Sequence, residues 1–266
     1  MPKSLIFLFN LAIKCHQDQV LERAAGLTYR VLLAFFPFLV FLMSLLGFLS
    51  LDESTILEGL YKVLPSDIAH LISGFLCELG ETRSRGLLST ALFFSVYNTT
   101  NGFRAIIRYA NRAYGVRDRR SFPVQVAFSF VLMLLFSGAL VVMLGLLVFR
   151  RQIWGFFFPH GSELLFTAAS GGAALAILTL TTFLIYRLSC ARRLPLRHIL
   201  PGAVLTVLAW VVSSGIFGFA IVNFTQYPTV YGSIAGVFIL ILWLNLISLI
   251  LLIGNETNAL LRDYYP

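Results

Sequence analysis

The residues best suited to chemistry in this sequence are polar side chains set into otherwise apolar segments. One group is Asn98, Asn101, Arg104, Arg108 and Asn111. On a single helix with 100° per residue, all but Asn98 fall within about 80° of arc, which predicts a polar stripe. Two arginines one turn apart suit an anionic headgroup, phosphate or carboxylate. The alternatives are arginines that snorkel to lipid phosphates and asparagines that bond between helices.

A second polar face occurs near the end of the chain. Asn245, Ser248, Asn255 and Glu256 share one side of a segment that is otherwise rich in Ile and Leu. Glu256 is expected to pair with an arginine of the first stripe or with Arg30. It acts either as an interfacial cap or salt bridge, or as a gating or proton-coupling carboxylate. Substrate binding or gating is therefore assigned to the residues Asn98, Asn101, Arg104, Arg108, Asn111, Asn245, Asn255 and Glu256.

Catalytic and metal-binding patterns are not found in the sequence. The four histidines, His16, His70, His160 and His198, lie far apart, and each has at most one nearby carboxylate. Hydrolysis of a phosphodiester usually needs clustered carboxylates and histidines or a paired acid and base. No phosphate-binding or dinucleotide-binding glycine motif occurs. We expect no enzyme activity, no metal and no cofactor.

Composition places these polar faces in a membrane protein. The chain of 266 residues is 58% hydrophobic and only 12% charged, whereas about 25% is usual for a soluble domain. So few charged side chains cannot cover a soluble surface. The net charge of +8 is therefore interpreted as cationic loops on the cytoplasmic side, not as a nucleic-acid site.

Apolar runs predict an all-α, polytopic fold in a single transmembrane domain, residues 1–266. An interfacial helix is predicted within residues 1–26, over 4–24, because its apolar run is too short to span. Residues 52–85 form an outer loop with two short amphipathic helices. Six spans are predicted at about 31–51, 86–106, 122–149, 164–186, 200–222 and 232–254, of which the second either crosses or is re-entrant.

Charge counting supports this topology without deciding it. Six spans with the N-terminus inside put fifteen Lys and Arg inside and five outside. Five spans with the N-terminus outside put fourteen inside and six outside. Six are favoured because a span at 86–106 separates the acidic loop 52–85 from the basic segment 104–120.

Three parts of the sequence carry a recognisable pattern, namely Arg23–Tyr29 followed by Leu32–Pro37, the stretch Asn111–Phe122, and the ending from Tyr231–Ala235 through Trp243 to Gly254–Ala259. Together they resemble the YihY/BrkB family of bacterial inner-membrane proteins. The resemblance implies six spans with both termini cytoplasmic in the inner membrane. Members have carried a ribonuclease BN label or a virulence-factor label, and a transport role has been suspected for them.

Function is predicted from the polar faces and the resemblance together. The first hypothesis is a transporter or flippase of an amphiphilic or anionic envelope molecule, with membrane lipids as partners and no nucleic acid. The second is a non-transporting scaffold for envelope assembly. A membrane enzyme is the remote alternative. The substrate, the coupling ion and the oligomeric state are not specified by the sequence.

Overall fold

The computed structural model describes residues 3–48, 69–70, 73–74, 85–157, 162–191, 195–223 and 233–264. All regular secondary structure in these ranges is helical. Most of the predicted outer loop lies outside the described residues, and its two described fragments are helical. The helices are α1 (Lys3–Gln17), α2 (Val20–Phe48), α3 (Arg85–Ala113), α4 (Phe122–Val148), α5 (Arg150–Phe157), α6 (Glu163–Ser189), α7 (Leu196–Asn223) and α8 (Ser233–Tyr264).

The six long helices pack as a closed ring. Helix α2 contacts α3, α3 contacts α4, α4 contacts α6, α6 contacts α7, α7 contacts α8, and α8 returns to α2. The two shorter helices lie outside this ring, α1 against α8 and α2, and α5 against α6 and α4. Connections are short in the described part, which favours antiparallel neighbours.

Contacts at one end of the ring show that the long helices alternate in direction. The Lys14 Nζ atom donates to the carbonyl of Ala113 at the end of α3 and lies 3.4 Å from Glu256 near the end of α8. Arg120, just before α4, donates to the carbonyl of Cys190, just after α6. We call this the basic end of the ring: the starts of α2, α4 and α7 and the ends of α3, α6 and α8.

Four helical segments are long and apolar enough to cross a membrane. They are Phe122–Leu146, Glu163–Ser189, Leu196–Ala220 and Gly236–Tyr264, which overlap the last four predicted spans. The predicted spans at 31–51 and 86–106 correspond to α2 and α3, which have similar lengths of 29 residues. The chain is thus all-helical in its described part, and the count of six crossings stays a prediction.

The helix predicted over residues 4–24 is divided in the structure. Helix α1 ends at Gln17, and α2 begins at Val20. Gln19 has a φ of 51°, in the left-handed region that interrupts a right-handed helix. Leu5, Leu8 and Phe9 on α1 are exposed, as an interfacial helix requires. Placement at a membrane interface remains a prediction for α1.

Glycines allow α7 and α8 to cross very closely. A Cβ atom at Gly202 would collide with the Gly254 carbonyl, and one at Gly254 would collide with the Thr206 hydroxyl. Beside this crossing the Tyr186 hydroxyl donates to the Leu251 carbonyl at 2.7 Å and lies 2.7 Å from the Thr206 hydroxyl. These contacts join three helices of the ring at its basic end.

Candidate functional site

The predicted polar stripe lies on the outward face of α3. We define the basic stripe as Tyr97, Asn101, Arg104 and Arg108, which share about 60° of helical arc. Tyr97 is 59% exposed and Arg108 is also exposed. The Arg104 guanidinium is half-buried, donates to Asn101 Oδ1 at 3.4 Å, and lies 4.4 Å from the centre of the Phe122 ring. The stripe therefore faces the surroundings of the ring and not its interior.

A third arginine adds positive charge beside this stripe. Arg30 on α2 is exposed, and together with Arg104 it acts electrostatically on Arg108. In the described part of the chain, no carboxylate forms an ion pair with Arg30, Arg104 or Arg108. One Arg104 nitrogen, Nε, is buried without a hydrogen-bond partner. The three cations thus create a positive surface with no described acid to neutralise it.

The two remaining asparagines of the first polar face have other surroundings. Asn98 is half-buried. Asn111 is 3% exposed, and its amide nitrogen donates to the carbonyls of Ile107 at 2.9 Å and Ser189 at 3.3 Å. Its oxygen accepts from the backbone N–H of Ala191 at 2.7 Å. Asn111 therefore ties the end of α3 to the end of α6 and is not part of the exposed stripe.

The second predicted polar face points into the protein. Asn245 Nδ2 donates to Thr28 Oγ1 on α2 at 3.3 Å, which links α8 to α2. Asn255 and Glu256 are each only 3% exposed. Asn255 Oδ1 is buried without a hydrogen-bond partner. The eight candidate residues therefore do not converge on one site.

Glu256 pairs with Lys14 and not with an arginine of the stripe. The Lys14 Nζ atom lies 3.4 Å from Glu256 Oε2 and 3.4 Å from Asp18 Oδ2. Asp18 Oδ1 in turn lies 3.5 Å from Arg23 Nη1. The expected pairing of Glu256 with Arg30 or with an arginine of α3 is wrong, because the turn at residues 18–19 returns α1 to the end of α8 and places Lys14 there.

These four residues, Lys14, Asp18, Arg23 and Glu256, form a neutral network that we call the charge clamp. It holds α1, the turn after it, α2 and α8 together. Neither Lys14 nor Asp18 is among the candidate residues predicted from the sequence. Their spacing of four residues at the end of an apolar helix was the available signal, since such pairs share one helix face.

The chemistry of the two charged regions therefore differs. Arginine guanidinium groups one turn apart can bind a phosphate or carboxylate through several hydrogen bonds, and the basic stripe offers two. The charge clamp has its charges already balanced and suits the attachment of α1. No group of three His, Cys, Asp or Glu that could hold a metal ion occurs among the residues that the structure describes.

Comparison with known proteins agrees with this membrane architecture. The family model described as "Virulence factor BrkB" matches residues 12–265. YfkH of Bacillus subtilis, whose name describes it as ribonuclease-like, is 31% identical over 93% of this chain and 91% of that protein. UPF0761 membrane proteins of Pseudoalteromonas atlantica and Alteromonas mediterranea are 24% and 25% identical, over 100% and 97% of this chain and 89% and 88% of their own lengths.

No solved structure matches the chain. The family match extends from α1 to the end of α8, and so includes both the basic stripe and the charge clamp. The name of the Pseudoalteromonas atlantica relative describes it as a membrane protein, which agrees with the four helical segments that are long and apolar enough to cross a bilayer. The chain belongs to the BrkB family of membrane proteins.

Proposed function

We propose that this protein is a transporter or flippase of an anionic amphiphile. The observation that carries the proposal is the basic stripe, an outward-facing row of polar side chains on α3 that ends in two arginines without a described carboxylate partner. An amphiphile in the bilayer would meet this surface sideways. Its headgroup would follow the stripe while its tails stay in lipid.

The cost of such a surface supports a role for it. Polar side chains that face hydrocarbon are costly, and such residues usually mark a ligand pathway or a partner. Tyr97 and Asn101 extend the stripe from Arg104 by about two turns toward the middle of α3. Arginines that only anchored the helix end to lipid would not need this polar extension.

We also propose that the basic end of the ring faces the cytoplasm of a bacterial inner membrane. Lys14, Arg23, Arg104, Arg120 and Arg262 all lie in or near this end. Cationic residues concentrate on the cytoplasmic side of membrane proteins. This orientation places Arg104 and Arg108 at the level of the inner-leaflet headgroups and places both termini in the cytoplasm.

The test is lipid movement in proteoliposomes. Fluorescent phosphatidylglycerol is incorporated, and a membrane-impermeant reductant then reports how fast inner-leaflet probe reaches the outer leaflet. We expect the wild type to accelerate this movement, and Arg104→Ala with Arg108→Ala to slow it at least tenfold, since charge-assisted hydrogen bonds are worth about 1.5–3 kcal/mol each. Arg117→Ala with Arg119→Ala removes two exposed charges from the α3–α4 loop and serves as the matched control.

Headgroup charge supplies a second comparison. Fluorescent phosphatidylcholine should move more slowly than phosphatidylglycerol in wild-type proteoliposomes. A wild-type protein that moves neither probe faster than empty liposomes do would contradict flipping of this lipid class and favour the scaffold alternative. Equal rates for the two double variants would contradict a role for the stripe in this movement.

A further inference from the structure

The six long helices line a partly open cavity of about 340 Å³. Its wall comes mainly from α2, α3, α4 and α8, and α6 and α7 contribute Ile185 and Trp210. The surface that lines the cavity is apolar almost throughout. Phe38, Phe103 and Phe136 are among the large side chains that form it. On α3 the cavity-facing residues Thr99, Gly102, Phe103 and Ile106 lie opposite the basic stripe.

Water is a poor occupant for such a space. A buried water molecule needs two to four polar partners, and apolar cavities of this kind stay dry. An empty space of this size leaves the wall without dispersion contacts on one side. In a bilayer the apolar material at hand is hydrocarbon chain, which can fill the space without losing hydrogen bonds.

The length of the cavity fits one hydrocarbon chain. Its wall on α2 runs from Leu27 to Leu39, about 18 Å at the rise of an α-helix. On α4 it runs from Phe136 to Leu144, about 12 Å. One leaflet of a bilayer contributes about 15 Å of the hydrocarbon core, so a single acyl chain has a matching length.

We propose that this cavity is a binding site for one acyl chain. The chain comes from a membrane lipid or from a free fatty acid, which share this chemistry. The site is separate from the basic stripe because the two occupy opposite faces of α3, so this inference does not depend on the proposed transport. Binding of an acyl chain in this cavity requires no charge on the lipid headgroup.

Tryptophan fluorescence can report on the occupant directly. The chain has three tryptophans, Trp154, Trp210 and Trp243, of which the last two line the cavity. In a Trp154→Phe protein, purified in detergent, all tryptophan emission comes from the two residues of the cavity wall. Brominated phosphatidylcholine or dibromostearate is then titrated, since bromine quenches tryptophan only at short range. We expect saturable quenching at about one acyl chain per protein, and the probe that quenches at lower concentration identifies the source.

Gly102→Leu fills the cavity with little disturbance. A Cβ atom at Gly102 meets nothing within 4 Å, and the residue lies in the cavity wall. Half-saturation in this variant should need about tenfold more probe, because overfilling an apolar site is unfavourable. Gly138→Leu is the matched control, since a Cβ there also meets nothing within 4 Å and the residue is exposed on α4.

The outcomes separate this site from the proposed transport. Saturable quenching that persists in Arg104→Ala with Arg108→Ala, and weakens only in Gly102→Leu, supports the acyl-chain site. Quenching that rises linearly without saturation in the Trp154→Phe protein overturns the proposal, and this result does not depend on the folding of either glycine variant. Equal titration curves for Gly102→Leu and Gly138→Leu also overturn it.

Discussion

At the residue scale, the buried carboxylate of Glu256 illustrates how a charge is accommodated in an apolar helix. Burying an ion pair costs several kcal/mol per ion unless its geometry and remaining hydrogen bonds are good. Lys14 offsets the Glu256 charge, and it also bonds to Asp18 and to the Ala113 carbonyl. The carboxylate thus attaches α1 to the ring, and any gating role would have to break this clamp.

Cys15 lies beside the charge clamp and can report on it. Burial, together with the negative charge of Glu256, raises the pKa of the Cys15 thiol to about 11. Because the thiolate is the nucleophile, maleimide labelling should be slow at pH 7 and should rise about tenfold per pH unit up to about pH 11. Glu256→Gln removes a charge that opposes thiolate formation, so labelling at pH 8 should become several-fold faster.

The comparison uses a protein in which Cys77 and Cys190 are replaced by serine. Glu22→Gln is the control, since Glu22 is exposed at the start of α2 and its loss removes the same charge elsewhere. A labelling rate at Cys15 that Glu256→Gln leaves unchanged, or lowers, would show that the clamp is not arranged as described.

At the element scale, apolar runs predicted the long helices well because each helix must satisfy its own backbone hydrogen bonds in lipid. The break at residues 18–19 was missed, since no proline or glycine marks it and Gln19 carries the left-handed conformation. Helix α5 was also missed, because a sequence of eight residues after a long span leaves little periodic signal.

The surroundings of the candidate residues were predicted less well than the helices, because they depend on contacts between helices. Helical periodicity places Asn101, Arg104 and Arg108 on one face but does not say whether that face points outward or inward. Only the packing of α2 and α4 on α3 decides this, and such contacts lie far apart in the chain. The partner of Glu256 depends on the turn before α2, which helical periodicity alone does not reveal.

The α7–α8 crossing gives a prediction about packing. Gly254→Ala should lower the thermal unfolding midpoint, because the new methyl group collides with the Thr206 hydroxyl and meets the Tyr186 hydroxyl at 2.6 Å. Overpacking of this kind costs about 1–3 kcal/mol. The measurement is thermal unfolding of the purified protein in detergent.

Gly215→Ala is the matched control on α7, since its Cβ would meet nothing within 4 Å. Alanine is favoured over glycine within a helix by about 0.8–1.0 kcal/mol, so this variant should be as stable as the wild type or more stable. Equal midpoints for Gly254→Ala and the wild type would mean that the two helices are less closely packed than the structure has them.

At the scale of the whole molecule, the alternating ring constrains topology. The starts of α2, α4 and α7 and the ends of α3, α6 and α8 meet at one end, so α2 and α3 run antiparallel as a crossing pair would. If both cross, the segment between them lies on the face opposite the basic end. Six crossings then follow, with the two chain ends on the same side.

Cys77 in that segment tests the arrangement, although it lies outside the described residues. Six crossings expose it to the outside, whereas five crossings place it in the cytoplasm. We expect a membrane-impermeant maleimide to label Cys77 of the protein in intact cells. The label should be absent from the Cys77→Ser variant. Cys190 is buried, and the raised pKa of Cys15 slows its reaction, so neither should contribute much. Labelling of Cys77 only after permeabilisation would support five crossings, which would put the starts of α2 and α4 on opposite sides of the membrane and so contradict the alternating ring.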